Sequence, residues 1–149
     1  MIGILDERQI DMMLREESIG RIGCHADDKT YVVPVTYVFH KDYIYGHTAE
    51  GQKVNIMRRN PNVCFEVDRL QDMANWQSVI IHGEFEELEG EEAVKGVNIL
   101  TDKLMPKLVS ESAVPVHGFN KDHPFDPKQI QGIVYRIKIN QKTGRFEKK

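Results

Sequence analysis

Residues 31–40 read YVVPVTYVFH, and alternation places Tyr31, Val33, Val35, Tyr37 and Phe39 on one side of an extended chain and Val32, Pro34, Thr36 and Val38 on the other. Both sides are largely apolar, which predicts a single strand covered on both faces. Pro34 interrupts it. Proline supplies no ladder donor, so it belongs on an edge strand, or where pairing stops and leaves backbone groups beside Thr36 for a planar heteroaromatic ring. Both readings stay open from this residue. Period-two patterning recurs in residues 19–24 (IGRIGC), 43–45, 62–68, 76–88 (WQSVIIHGEFEEL) and 133–140. In 62–68 it puts Val63, Phe65 and Val67 on one face, and in 133–140 it turns Ile133, Tyr135, Ile137 and Ile139 inward. Gly83, inside the longest run, predicts a bulge or bend.

Helical spacing takes over in three places. Asp6 to Gln9 form a capping box, followed by Ile10, Met13 and Leu14 on one face of a short helix ending near Glu17. Residues 52–60 read helical and stop before Pro61, because the residue preceding a proline is pushed out of the helical region. Residues 91–104 carry Val94, Val97 and Leu104 on one side, with Gly96 weakening the helix. Residues 26–29 are a turn, 40–43 a tight hairpin connection, 69–75 a polar loop and 110–127, with Pro115, Gly118, Pro124 and Pro127, a long irregular loop. Hairpin order with singly inserted helices predicts one domain over residues 1–149, mainly β, built as a small antiparallel barrel with a few peripheral helices. No strand is followed by GxGxxG, which argues against a dinucleotide-binding doubly wound sheet.

With 149 residues the chain is long enough for one real core, and its formal net charge of -3 lacks the basic surface that a nucleic-acid backbone requires. The basic tail Lys142, Arg145, Lys148 and Lys149 is expected to be a solvated terminus. No apolar run approaches the roughly 18 residues of a membrane span, and the first residues, MIGILDERQ, lack a signal-peptide pattern, so a cytoplasmic protein is expected. Cys24 and Cys64 are the only cysteines and are expected to pack as small core residues.

Candidate chemistry concentrates in residues 43–68. Tyr43, Ile44 and Tyr45 form a strand, Gly46-His47-Thr48-Ala49-Glu50-Gly51 break it, and a helix starts. Unpaired N–H groups at that helix start, the Thr48 hydroxyl and the Lys53 ammonium can converge on one phosphate. The plain alternative is an ordinary strand–turn–helix with a lysine in its first turn. His47 is the candidate proton donor or acceptor near neutral pH. Its alternative roles are a hydrogen bond to the phosphate or packing against Tyr45.

Taken in order, IGRIGC, YVVPVTYVF, IYGHTAEGQKVNIMRRNPNVCFEVD, WQSVIIHGEFEEL and the closing YRIKINQKTGR resemble the FMN-binding split-barrel group related to pyridoxamine 5'-phosphate oxidase, and within it the nitroimidazole-resistance branch. The likeness is strongest over residues 19–88. It implies a split antiparallel barrel and a homodimer with two FMN molecules at its interface, each touched by both chains. Lys53 matches a lysine that binds the FMN phosphate, and His47 and Thr48 lie where further phosphate contacts fall. Val33, Pro34, Val35 and Thr36 match the segment along the isoalloxazine ring. Ser78, just after Trp76 and Gln77, stands where the oxidase branch has a flavin-contacting glutamine. Trp76 and Gln52 complete the implied cofactor-binding set, although the oxidase branch has an arginine in place of Gln52. That branch's basic residues for a substrate phosphate are not recognisable near the C-terminus, so the resemblance implies a reductase of small molecules, nitroaromatics among them, rather than a true oxidase. A non-catalytic holder of FMN, haem or a deazaflavin is the alternative, with His47, His82, His117 or His123 as an axial ligand for haem. An interaction module without cofactor is the third. The histidines show no metal-ligand spacing.

Overall fold

The computed structural model describes residues 1–104 and 131–149. Its elements are β1 (Ile2–Ile4), α1 (Glu7–Glu16), β2 (Ile19–Ala26), β3 (Lys29–Thr36), β4 (Val38–His40), β5 (Tyr43–Thr48), α2 (Gln52–Arg59), β6 (Asn62–Asp72), β7 (Asn75–Leu88), α3 (Gly90–Leu104) and β8 (Ile133–Glu147). The irregular loop expected over 110–127, with His117 and His123, lies outside the described residues.

All strand pairings are antiparallel. The sheet runs β3-β2-β6-β7-β8-β5-β4, and β1 adds to the far part of β8. It curls into a barrel whose two ends, β3 and β4, are consecutive in the chain yet share no ladder. Ile22, Phe65, Val67, Val79, Ile81 and Ile137 line the interior and are fully buried, as the alternation requires. Ile10, Met13 and Leu14 of α1, and Ile56 and Met57 of α2, join the same core. A second cluster places Ala93, Val97, Leu100 and Leu104 of α3 against Val38, Tyr45, Leu88 and Val134.

Local chemistry sets the joints. Asp6 accepts from the Gln9 backbone N–H at 2.8 Å and the Gln9 side chain accepts from that of Asp6 at 2.9 Å, completing the expected capping box. Asp27 and Asp28, at φ 52° and 61°, make the two-residue turn between β2 and β3, and Lys41, at φ 54°, turns β4 into β5.

Several boundaries differ from the sequence expectation. Residues 31–40 form two strands rather than one, because Tyr37 leaves the ladder. It lies 1% exposed, its N–H donates to the Ser18 carbonyl (3.0 Å), its hydroxyl donates to the Leu14 carbonyl (2.8 Å), and its ring packs edge-on against Phe65. Nor is β3 covered on both faces within the chain: it is an edge strand, consistent with Pro34, and Val32 is 66% exposed. Gly46, His47 and Thr48 continue β5 rather than breaking it, since they pair with Tyr135, Val134 and Ile133 of β8. A Cβ at Gly46 would collide with the Tyr135 ring, so here glycine admits a neighbour rather than ending a strand.

The polar stretch 69–75 is mostly strand, paired with β7, leaving Met73 and Ala74 as the turn. Polar side chains suit an outer sheet face as well as a loop. The basic tail likewise belongs to β8 as far as Glu147, and Lys142 is anchored on Asp11 at 2.5 Å. The irregularity at Gly83 is present as a register shift that leaves Asn140 of β8 unpaired opposite His82 and Gly83. In α3, Val94 is only half-buried, while Gly96 is buried against Val134, so this glycine serves close packing. Cys24 is buried as expected, whereas Cys64 is only partly so.

The Tyr37 hydroxyl satisfies one of the last carbonyls of α1, which no helical N–H reaches. Tyr37→Phe is expected to lower stability by about 1–2 kcal/mol, seen as a lower urea midpoint at unchanged slope.

Candidate functional site

Where β5 ends and α2 begins, the chain leaves a helix start with no side-chain cap. Gly51 is the N-cap residue and makes no capping hydrogen bond beyond its carbonyl, which accepts from the Asn55 N–H at 3.1 Å. The amides of the first turn therefore have no acceptor within the helix. Nothing crowds the position a Cβ would occupy on Gly51, so the approach to these amides is open.

Beside them, Thr48 is the one buried polar residue among the described residues. Its hydroxyl accepts from the Lys53 ammonium and donates to the Ala49 carbonyl at 3.1 Å. Burial pushes the Lys53 pKa below its ordinary value, with the Cys24 thiol acting in the opposite direction. An ammonium that has lost part of its hydration gains more from an anion than one in open water.

These groups open into a cleft of about 440 Å³. The edge strand contributes Tyr31, Pro34, Val35 and Thr36, the β5–α2 connection His47 to Lys53, and α3 Leu100 and Leu104. Its ends differ in character: apolar side chains of β3 and α3 at one, amides, hydroxyl and ammonium at the other. His47 Nε2 lies 2.6 Å from the Gln131 carbonyl, and because a carbonyl only accepts, Nε2 carries the proton. Nδ1 is then the unprotonated nitrogen of the neutral ring, and it is buried. Glu50 also lines the cleft but is gripped by both guanidinium nitrogens of Arg58, at 2.9 and 3.0 Å, and Arg58 also donates to Glu87 at 2.9 and 2.7 Å.

Of the sequence-selected residues, Pro34, Val35, Thr36, His47, Thr48, Gln52 and Lys53 meet in this cleft. Val33, Trp76 and Ser78 do not line it. Trp76 donates to Glu147 at 2.9 Å and Ser78 to Glu66 at 3.2 Å, both on the outer face of the sheet. His82 is exposed on that same face, away from His47. No group of His, Cys, Asp or Glu among the described residues is arranged to hold a metal ion. No helix among them is long and apolar enough to cross a membrane. Sequence reasoning missed Tyr31, Leu100 and Leu104. The two leucines stand one turn apart, a visible signal of a buried face, but nothing in the spacing says that the face overlooks a cleft.

Comparison with known proteins agrees with this architecture. Residues 6–146 match the family described as pyridoxamine 5'-phosphate oxidase. An uncharacterised protein of Rhizobium meliloti (strain 1021) is 26% identical over 152 residues, spanning 97% of this chain and 94% of its own. Among solved structures, an FAD-binding protein of Mesorhizobium loti superposes with a TM-score of 0.76 at 24% identity, covering 100% of this chain and 98% of that one. A candidate 5-nitroimidazole antibiotic resistance protein of Bacteroides thetaiotaomicron superposes with a TM-score of 0.73 at 19% identity, covering 98% and 87%. At these identities both structures establish the fold, a split barrel.

Burial makes Lys53 the lysine expected to titrate early. In a pH titration followed by lysine side-chain NMR, the signal lost in Lys53→Met should have a midpoint below the ordinary 10.5. A midpoint above that value would mean that burial does not dominate at this site.

Proposed function

The chain belongs to the pyridoxamine 5'-phosphate oxidase family, and on that footing we propose that it is a flavoprotein whose cleft holds the FMN unit of its cofactor. The observation that carries this reading is the uncapped start of α2 with the Lys53–Thr48 pair beside it. Amide donors, a hydroxyl and a half-buried ammonium form a donor set that suits a phosphate. The apolar end, between β3 and α3, suits a flat ring. Because β3 is paired on one side only, its free edge offers backbone groups to the ring's polar rim, with Pro34 contributing no donor.

A bound flavin supplies two-electron chemistry, so that hydride from a reduced nicotinamide nucleotide can pass through it to a small acceptor such as a nitroaromatic compound. The protein's own part is to orient, to exclude water and to exchange a proton. His47 is the residue of the cleft suited to proton exchange, with Gln131 fixing the ring at Nε2. This makes the protein an oxidoreductase acting on small molecules.

The functional unit in this reading is a homodimer. Val32 and Pro34 of β3, Ile19 and Arg21 of β2, Leu70 of β6 and Trp76, Ser78 and Ile80 of β7 share one outer face through their register. Ile19, Val32 and Leu70 are 59%, 66% and 72% exposed there. Pro34 and Thr36 belong both to this face and to the cleft. A second copy seated on the face therefore meets the mouth of the cleft, which gives Trp76 and Ser78 a route to a cofactor held by the partner.

The first test is the visible spectrum of protein purified without added cofactor. Flavin bands, bleached anaerobically by NADH or NADPH and restored by a nitroaromatic acceptor, are expected. A colourless protein that takes up no added flavin would remove the proposal. Lys53→Ala should weaken flavin binding by about 1.5–3 kcal/mol, the size of a lost charged hydrogen bond, as read by titration. For the dimer, light scattering should find twice the chain mass, and Val32→Glu with Ile80→Asp should yield monomers of reduced flavin affinity. Monomeric wild-type protein that binds flavin fully would discard the shared site.

A further inference from the structure

A second, smaller cavity adjoins the cleft at Gln52. Gln52 lines both, and beyond it about 220 Å³ of space lies between α2 and the β2–β3 turn. Its helical wall is Gln52, Asn55, Ile56 and Arg59, and Asp27 and Lys29 face them from the hairpin. The spacing 52, 55, 56, 59 is a single stripe along a helix, and seven residues at a rise of about 1.5 Å carry it roughly 10 Å from the phosphate end of the cleft. The groove thus runs outward from the place where a flavin phosphate would sit, which is the direction a longer cofactor must take.

Charge favours the longer cofactor too. Lys53 is the only lysine or arginine among the described residues lining the cleft. A terminal phosphate monoester carries about -1.5 to -2 charges at pH 7, more than one ammonium offsets. A phosphate inside a diphosphate diester lacks that second ionisation and carries a single charge, which one lysine matches. The next cations along the path are Arg59 and Lys29, inside the groove. Arg59 is ion-paired with Asp27, but both side chains are about two-thirds exposed, so this pair holds them loosely and yields to a new partner. Ile56 gives the groove a buried apolar floor, while Gln52 and Asn55 present amides that both donate and accept, a lining that suits a purine and its sugar.

We propose that this groove is an adenylate subsite, and that the protein binds flavin adenine dinucleotide in preference to the mononucleotide, with the second phosphate and the adenosine along the 52, 55, 56, 59 stripe. The proposal rests on the flavin reading of the cleft and separates from it in one experiment. Protein freed of cofactor is titrated with FAD, FMN and riboflavin, following flavin fluorescence and heat. FAD is expected to bind about tenfold or more tightly than FMN, the worth of one charged contact. Arg59→Glu should reduce FAD affinity at least tenfold more than FMN affinity, whereas Lys53→Ala should weaken both. FMN binding as tightly as FAD in the wild-type protein, or Arg59→Glu lowering the two equally, would overturn the adenylate subsite and leave the flavin site standing. Failure of all three flavins to bind would overturn both.

Discussion

A sheet that closes on itself must let the chain pass from one of its ends to the other, and here the passage is a single residue. Tyr37 stands between β3 and β4 with its amide bonded to Ser18, its hydroxyl bonded to Leu14 and its ring against Phe65. Those contacts tie the corner to the end of α1, to the lead into β2 and to the centre of β6. Burial also pushes its phenol pKa well up, so the hydroxyl stays a donor. Without that anchor, residues 31–40 have every reason to continue as one strand, since their alternation is unbroken. The barrel would then have no split.

The cleft follows from the split. Because β3 is the end strand of the sheet, its outer edge has no strand partner among the described residues, and the space beside it is bounded from three directions instead. From β5 comes the connection into α2, with its free amides and Lys53. From α3 come Leu100 and Leu104. The third boundary is β3 itself, one-sided in its pairing and carrying Pro34 where a donor would be missed least. An apolar slot beside a cationic, amide-rich corner is thus a by-product of how the sheet closes, and α2 places the corner by beginning without a side-chain cap.

Much of this was legible in the sequence, and the failures share a cause. The capping box at Asp6, the stop at Pro61, the alternation of Val63, Phe65 and Val67 and the hairpin turns are local signals, and local signals transfer well. So did the grouping of Thr48, Lys53 and the Pro34 strand, because order along the chain brought a turn, a helix start and an edge strand together. Nonlocal pairing is what the pattern hides. Gly46 reads as a breaker but makes room for Tyr135, and residues 69–72 read as loop but pair with β7. The C-terminal basic residues read as tail but extend β8 because β7 is long enough to receive them. Trp76 and Ser78 show the same limit differently. A strand has two faces, and alternation names the residues on each without saying what the outer one meets.

An acid in the wall of the proposed phosphate site needs a physical account, and the structure contains one. Glu50 precedes the helix start, where its charge would oppose any phosphate at the amides. Side chains on a helix lean toward its N-terminus, and Arg58, two turns further on, reaches back along α2 to hold both carboxylate oxygens of Glu50. The same guanidinium is held by Glu87 of β7, whose pKa it lowers, so the fork is fixed from both sides. The result is a local separation of charge: Glu50 is compensated along the flank of the helix, while Lys53, bonded to the neutral hydroxyl of Thr48, lines the cleft with its charge. A net charge of -3 over the chain therefore says little about this corner. In the proposed reading its preference for anions turns on which cation has already been matched to an acid, and among the described residues Arg58 has been while Lys53 has not.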